Sequence, residues 1–208
     1  KVKNVMDFSM GWGDRLAGFF ASQNTELYVG VDPRKENHPI YREQADYYEG
    51  QLTMFETMKK VDFYCEAAED FYYDGYEDTF DIIFTSPPYF NVERYSHDDT
   101  QSWIRYKDID GWNTRFLQKA LDNMLPTLRS GGKLCINISD VYANSKWSSD
   151  RCWLKICDPM NEFLDEYRDI EYIGCIGMEM AKRPNSGGAG TAKDTTQYSE
   201  ESLKLAEE

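Results

Sequence analysis

Asp81-Ile82-Ile83-Phe84-Thr85-Ser86-Pro87-Pro88-Tyr89 joins an apolar, strand-like run to a stiff loop, and that junction decides how the rest of the chain reads. Ile82-Ile83-Phe84 predicts a buried strand. Two successive prolines then remove backbone donors and fix φ, which ends the strand and forbids a helix. In an open α/β sheet the loops at the carboxyl ends of the strands are where ligands bind. Ser86 and the carbonyl of Pro87 are therefore placed to accept hydrogens from an amino group while Tyr89 stacks on a flat ring. Paired prolines after a strand also make plain turns, so the flanking sequence has to supply a ligand.

Outward from this junction, strand and helix patterns alternate as a parallel sheet with crossover helices requires. Val2–Phe8 predicts the first strand and Asp14–Ser22 a helix with Leu16, Phe19 and Phe20 on one face. Leu27–Val31 is a second strand stopped by Asp32-Pro33, and Tyr41–Met58 a long helix. Val61–Cys65 and Ile82–Thr85 are the third and fourth strands. Asn113–Leu128 carries Phe116, Leu117, Ala120, Leu121, Met124 and Leu125 at helical spacing. Ser130-Gly131-Gly132 caps that helix, and Lys133–Ile138 is the fifth strand. Trp153–Tyr167 reads as helix, Ile170–Met180 as strand, residues 183–198 as a flexible loop rich in small residues, and Ser199–Glu208 as a short polar helix. The expected whole is one α/β domain over residues 1–208, truncated at its ends, because the chain opens at Lys1 directly in strand-like residues.

The 208 residues hold 41% hydrophobic and 15% aromatic side chains, enough for a real core. Against 37 Asp and Glu stand only 23 Lys and Arg, a net charge of −14 that argues against tight unaided binding to duplex nucleic acid. A basic partner or a missing basic module would resolve that. Five cysteines without a Cys-x-x-Cys pair, and two histidines, suggest neither a metal site nor a disulfide framework. Cys65, Cys135 and Cys175 fall in apolar runs, where cysteine is usually a small buried hydrophobe. No apolar run approaches membrane-spanning length, so an intracellular, cytoplasmic setting is expected.

Asp7-Phe8-Ser9-Met10-Gly11-Trp12-Gly13 fills the turn between the first strand and the first helix. Its glycines let backbone approach a ligand, and the helix start offers free amides. Asp32 ends the second strand, where a carboxylate can accept both hydroxyls of a ribose. After the third strand, Glu66-Ala67-Ala68-Glu69-Asp70 offers carboxylates for an adenine amino group, although in so acidic a chain most carboxylates are simply solvated. Together these residues read as a seat for an adenosine-type ligand.

The ordered set resembles the S-adenosylmethionine-dependent amino-methyltransferases of nucleic acids, over roughly residues 2–140. The resemblance implies a Rossmann-like methyltransferase fold, with a mostly parallel sheet of the seven-stranded type flanked by helices. It implies S-adenosylmethionine as cofactor, held by Asp7, Phe8, Ser9, Gly11, Gly13, Asp32, Glu69, Asp70 and Thr85. Ser86, Pro87, Pro88 and Tyr89 correspond to the catalytic loop, in the Ser-Pro-Pro-Tyr form more usual for cytosine than for adenine. The loop that follows supplies Asn91, Glu93, Tyr95 and Gln101 for the substrate base. The implied activity is methylation of an exocyclic amino group in DNA, of the restriction-modification kind, on a base flipped out or single-stranded, with neither metal nor membrane involved. Two other readings stay open: a catalytically silent subunit or scaffold on this fold, and the same chemistry on RNA, a protein amide or a small molecule. The family's sequence-reading segment has no evident counterpart, unless the run Asn185–Gly190 replaces it.

Overall fold

In the computed structural model, which describes residues 1–52, 58–144 and 151–177, the strand that precedes Ser86 lies inside a parallel sheet. The strands are β1 (Asn4–Asp7), β2 (Leu27–Val31), β3 (Lys60–Tyr64), β4 (Phe80–Thr85) and β5 (Leu128–Ile136). They pair in the order β3-β2-β1-β4-β5. The chain winds outward from β1 through β2 to β3, then returns to the other side of β1 for β4 and β5. The reversal falls between β1 and β4, and at such a switch point the loops leaving the two strands diverge and open a crevice. The glycine turn leaves β1 and the Ser-Pro-Pro-Tyr loop leaves β4. Val5 pairs with Ile82 and Met6 with Ile83, so both loops start at the same height.

One face of the sheet packs Met6, Val29 and Ile83 against Trp112, Leu117, Leu121 and Met124, all fully buried. The other face buries Tyr28 among Leu16 and Phe19 of α1 (Asp14–Ala21) and Tyr41 and Ala45 of α2 (Asn37–Glu49). That second cluster contains no residue of β4 or β5. Accordingly Phe84, expected to be buried, is exposed, as is its register partner Cys135.

Two short helices follow, α3 (Ser102–Arg105) and α4 (Ile109–Trp112). The amphipathic segment expected over Asn113–Leu128 is helical with changing pitch. A π-helical stretch, Asn113–Gln118, leads into α5 (Lys119–Met124), and a 3₁₀ turn, Leu125–Thr127, closes it around Pro126. Ser130-Gly131-Gly132 does not cap this helix but lies within β5. The β4 register jumps from Phe80↔Leu128 to Ile82↔Lys133, so Arg129–Gly132 bulge from the ladder, with Gly131 at φ 77°.

Trp153–Tyr167 is likewise not one helix. A hairpin of β6 (Val141–Asn144) and β7 (Arg151–Leu154) precedes α6 (Cys157–Asp165). The side chain of Asp140 accepts the N–H groups of Ile156 and Cys157 and so fixes where α6 begins. Cys65 and Cys175 are exposed rather than buried.

The chain divides into two compact units, Lys1–Glu166 and Tyr167–Glu208. In the second, residues 167–177 form neither helix nor strand, contrary to the strand expected from Ile170, and Tyr172, Ile173 and Ile176 are exposed. The helix expected over Tyr41–Met58 starts earlier, at Asn37, and ends at Glu49, with residues 50–52 and 58 outside any helix, while residues 53–57, the 183–198 loop and the Ser199–Glu208 helix lie outside the described residues. Among the described residues no helix is long and apolar enough to cross a membrane.

Candidate active site

Gly11 and Gly13 take φ values of 59° and 86°, the left-handed region that a β-carbon disfavours. At Gly13 a β-carbon would also meet the tip of the Gln44 side chain, which can swing aside, so it is the left-handed φ that calls for glycine there. The carbonyl of Gly11 accepts from Asn37 Nδ2 at 2.8 Å and from the Tyr41 hydroxyl at 2.6 Å. Asn37 and Tyr41 stand one turn apart on α2, which is why both reach the same oxygen.

The N–H of Gly11 donates to Oδ2 of Asp32 at 3.0 Å, and the N–H of Arg34 to Oδ1 at 2.9 Å. Each carboxylate oxygen therefore keeps a lone pair for a ligand hydroxyl. Burial raises the Asp32 carboxyl above its usual range, only partly offset by those two backbone bonds. His38 Nε2 donates to the Asp32 carbonyl at 2.8 Å and fixes the peptide from outside.

Beneath the turn lies a charged knot. Asp7 is fully buried, and its Oδ2 accepts from Arg15 Nε at 2.7 Å and the Tyr28 hydroxyl at 2.9 Å. Its Oδ1 accepts from the Ser9 N–H at 3.1 Å and from Thr85 Oγ1 at 3.0 Å. Arg15 also donates to the Ser9 carbonyl. Burial opposes the charge on Arg15, yet Asp7 holds the guanidinium above its ordinary value. One carboxylate thus bonds both the glycine turn and the last residue before Ser86.

The loop after β4 is held from both ends. Phe90 adopts φ 51°, an unfavourable conformation for a side chain of that size, and is kept there by burial against the Trp112 ring at 6.3 Å. Tyr89 is half-buried, and burial pushes its phenol up more than the neighbouring Ser86 lowers it. Asn137, just past β5, donates from Nδ2 to Ser86 Oγ at 3.4 Å, a long contact. Glu93 Oε2 accepts the Tyr89 N–H at 3.3 Å.

From there, residues 91–101 form a strap tied at both sides. Lys35 pairs with Asp98 at 3.1 Å, next to the loop after β2. Arg105 pairs with Glu69 at 3.0 Å and with Asp70 at 2.5 Å, in the loop after β3, and the Tyr106 hydroxyl donates to Glu69 at 3.1 Å. Burial raises the Glu69 carboxyl, with Arg105 opposing.

These elements line a cleft, partly open to solvent, whose cavity volume is about 170 Å³. Of the residues expected from sequence, Phe8, Ser9, Gly11, Asp32, Glu69, Ser86, Pro88, Tyr95 and Gln101 line it. Asp7, Gly13, Asp70, Thr85, Pro87, Tyr89, Asn91 and Glu93 stand outside that lining and shape it from behind or alongside. Sequence reasoning missed Trp12, Arg15, Arg34 and Asn37, which also line it. Only the i, i+4 pair Asn37 and Tyr41 beside a glycine turn carried a usable signal. The arrangement can hold an adenosine-like molecule between the β1 and β2 loops and present a planar amine at Ser86.

The sequence profile of a DNA methylase family matches residues 80–194, more than half of the chain. No curated protein matches it in sequence. Among solved structures, the 4+2 cyclase SpnF is similar at 18% identity and a TM-score of 0.48, over 79% of this chain and 50% of that one. An rRNA methylase from Streptococcus thermophilus is similar at 15% identity and a TM-score of 0.42, over 64% of this chain and 59% of its own. The N-methyltransferase NodS from Bradyrhizobium japonicum gives 12% identity and a TM-score of 0.42, over 66% and 58%. The chain spans about half the length of these proteins.

Proposed function

This chain belongs to the DNA methylase family, and from that premise we propose that it transfers a methyl group from S-adenosylmethionine to the exocyclic amino nitrogen of a DNA base, cytosine in preference to adenine. The observation that carries the reading is that Ser86 and Pro88 line the same cleft as Gly11 and Asp32. A methyl-donor seat and an amine-holding loop share one crevice.

The residues present suit the cofactor. Asp32 has free lone pairs for the ribose hydroxyls, Ala67 and Ala68 leave flat apolar room near the strand ends, and the glycine turn lets backbone approach. When bound, S-adenosylmethionine supplies a methyl group on a positively charged sulfur, an electrophile that needs only in-line placement. The protein's task is the amine. An exocyclic amino nitrogen donates its lone pair into the ring and is a poor nucleophile until acceptors draw its hydrogens out of that plane. Ser86 Oγ and the Pro87 carbonyl offer those acceptors, and Tyr89 offers a ring to stack on. The Ser-Pro-Pro-Tyr segment brings no carboxylate of its own, so the amine is activated by orientation more than by a strong base, and as the carbon–sulfur bond breaks the nitrogen's proton passes to water in the partly open cleft.

The test is incubation with labelled S-adenosylmethionine and separate DNA, RNA and peptide pools, with the modified nucleoside identified by mass. N4-methylcytosine in DNA is expected. Ser86→Ala should lower turnover on the order of 10²-fold, the scale of losing one positioned hydrogen-bonding group, with cofactor binding retained. Label in RNA or peptide alone would reassign the substrate, and label in no pool would sink the reading.

A further inference from the structure

We propose that Trp12, Arg34 and Tyr95 form a seat for an unstacked nucleotide of single-stranded DNA beside the reacting base, a proposal that rests on the methyltransferase reading of the cleft.

Trp12 stands between the two left-handed glycines of the turn and is 62% exposed, an unusual placement for the largest apolar side chain. It is not a loose surface ring. The guanidinium of Arg34 lies 4.9 Å from its centroid, and Tyr95 meets it edge-on at 6.4 Å. Tyr95 also neighbours the loop after β4: burial and then the nearby Glu93 carboxylate push its phenol up, and the same carboxylate accepts the Tyr89 N–H at 3.3 Å. The exposed ring is therefore part of a built unit that runs from the cofactor turn to the Ser-Pro-Pro-Tyr loop, and all three side chains line the cleft.

Arg34 supplies a second, independent pointer. Its Nε has no hydrogen-bond acceptor, Glu36 meeting it only as a loose ion pair at 3.8 Å, while the side chain as a whole stays 22% exposed. A buried guanidinium N–H with no acceptor is costly, and an oxygen of a phosphate would satisfy it. An aromatic face beside a cation with an unmet N–H is the combination that binds one nucleotide by base stacking and phosphate contact. In duplex DNA both faces of each base are already stacked, so only an unpaired or extruded nucleotide can use the seat. The acidic neighbours Glu36, Glu93 and Asp98, the last paired with Lys35, keep the local charge low. Stacking therefore dominates, and a chain of net charge −14 can hold a strand without a broad basic face.

The test measures binding of a fluorescent single-stranded oligodeoxynucleotide and its duplex by anisotropy at several salt concentrations, with cofactor binding measured separately by calorimetry. The single strand should bind more tightly than the duplex, with quenching of tryptophan emission. Trp12→Ala and Tyr95→Ala should each weaken strand binding about tenfold, within the range for losing one base stack, and should weaken cofactor binding less. Arg34→Gln should flatten the salt slope by about 0.7, the value for one phosphate contact on a single strand. Strand binding that ignores both aromatic substitutions overturns the proposal. So does an Arg34→Gln variant that loses cofactor affinity and keeps the salt slope, since the guanidinium would then serve the cofactor. If the strand binds through Trp12 and no pool is methylated, the seat stands and the catalytic reading falls. Methylation with Trp12-independent binding gives the reverse.

Discussion

Replacing Asp7 by Asn changes one buried atom and should unsettle both halves of the site. The carboxylate faces four donors: Arg15 Nε, the Tyr28 hydroxyl, the Ser9 N–H and Thr85 Oγ1. An amide in its place brings an NH₂ group to a spot where donors already point. The two hydroxyls can rotate and accept, but Arg15 and the Ser9 backbone cannot. Arg15 also loses its countercharge while its side chain remains only 19% exposed. Breaking a buried ion pair by removing one partner costs about 3–5 kcal/mol, and the residual exposure of Arg15 places this case near the lower end, about 3 kcal/mol. For a domain of this size that is a fall of roughly 6–12 °C in Tm. Urea unfolding followed by circular dichroism reads it directly, with Arg15→Gln and the double variant completing a cycle. We expect the double variant to be much less unstable than the sum of the single ones. A loss below about 1 kcal/mol in Asp7→Asn, or simple additivity with Arg15→Gln, would refute the claim that Asp7 and Arg15 act as one buried unit. Thr85→Val, which removes a single neutral bond, should cost about 1 kcal/mol and supplies the scale.

Three further outcomes concern the strap and the Asp32 carboxyl. Arg105→Gln removes both ion pairs from the strap to the loop after β3 and leaves only the Tyr106 bond to Glu69; with Glu69 buried and Arg105 partly exposed, about 1.5 kcal/mol is at stake, so a bound cofactor analogue should leave about tenfold faster by stopped flow. Asp98→Asn, at the more exposed Lys35 pair, should change that rate less than threefold, and the opposite ranking would mean the strap is hinged at the other side. The Asp32 carboxyl is raised in the free protein by burial, and hydroxyls that bond its charged form on binding must lower it. Affinity for the cofactor is therefore fully present above that raised value and falls as pH drops through it, earlier than an ordinary aspartate would dictate. Calorimetry between pH 7 and pH 4 should show this fall in the wild type and a flat, weak profile in Asp32→Asn; a wild-type affinity constant down to pH 4 would remove Asp32 from the binding site.

The sheet was legible because its strands are bounded by residues that cannot continue them. Leu27–Val31 ends at Asp32-Pro33, and β4 ends at Pro87-Pro88. Where a segment's fate depends on its partner, local pattern misled. Ser130-Gly131-Gly132 has the composition of a helix cap, but pairing of Leu128 with Phe80 draws it into a strand as a bulge. Trp153 belongs to a strand because Tyr142 lies opposite, a pairing no periodicity within 153–167 reveals. The cysteines at 65 and 135 sit in strand-like runs, yet Cys65 falls just past the end of β3 and Cys135 lies on the face that the second core cluster leaves uncovered beside β4.

The same distinction separates the visible from the hidden parts of the site. Gly11, Asp32 and Ser86 announce themselves through backbone consequences: left-handed turns, strand ends, prolines. Arg15, Arg34 and Arg105 do not, since in an acidic chain any arginine has many candidate partners, and those it meets lie far off in sequence. Asp7 and Thr85 are 78 positions apart, yet their contact sets the spacing between the glycine turn and the Ser-Pro-Pro-Tyr loop. That contact exists only because β1 and β4 are neighbours, and they are neighbours because the winding order reverses between them. Topology therefore does more here than open a crevice. It places one buried carboxylate where the loops leaving β1 and β4 are both bonded to it, so the spacing across the crevice is set inside the core and not at its rim.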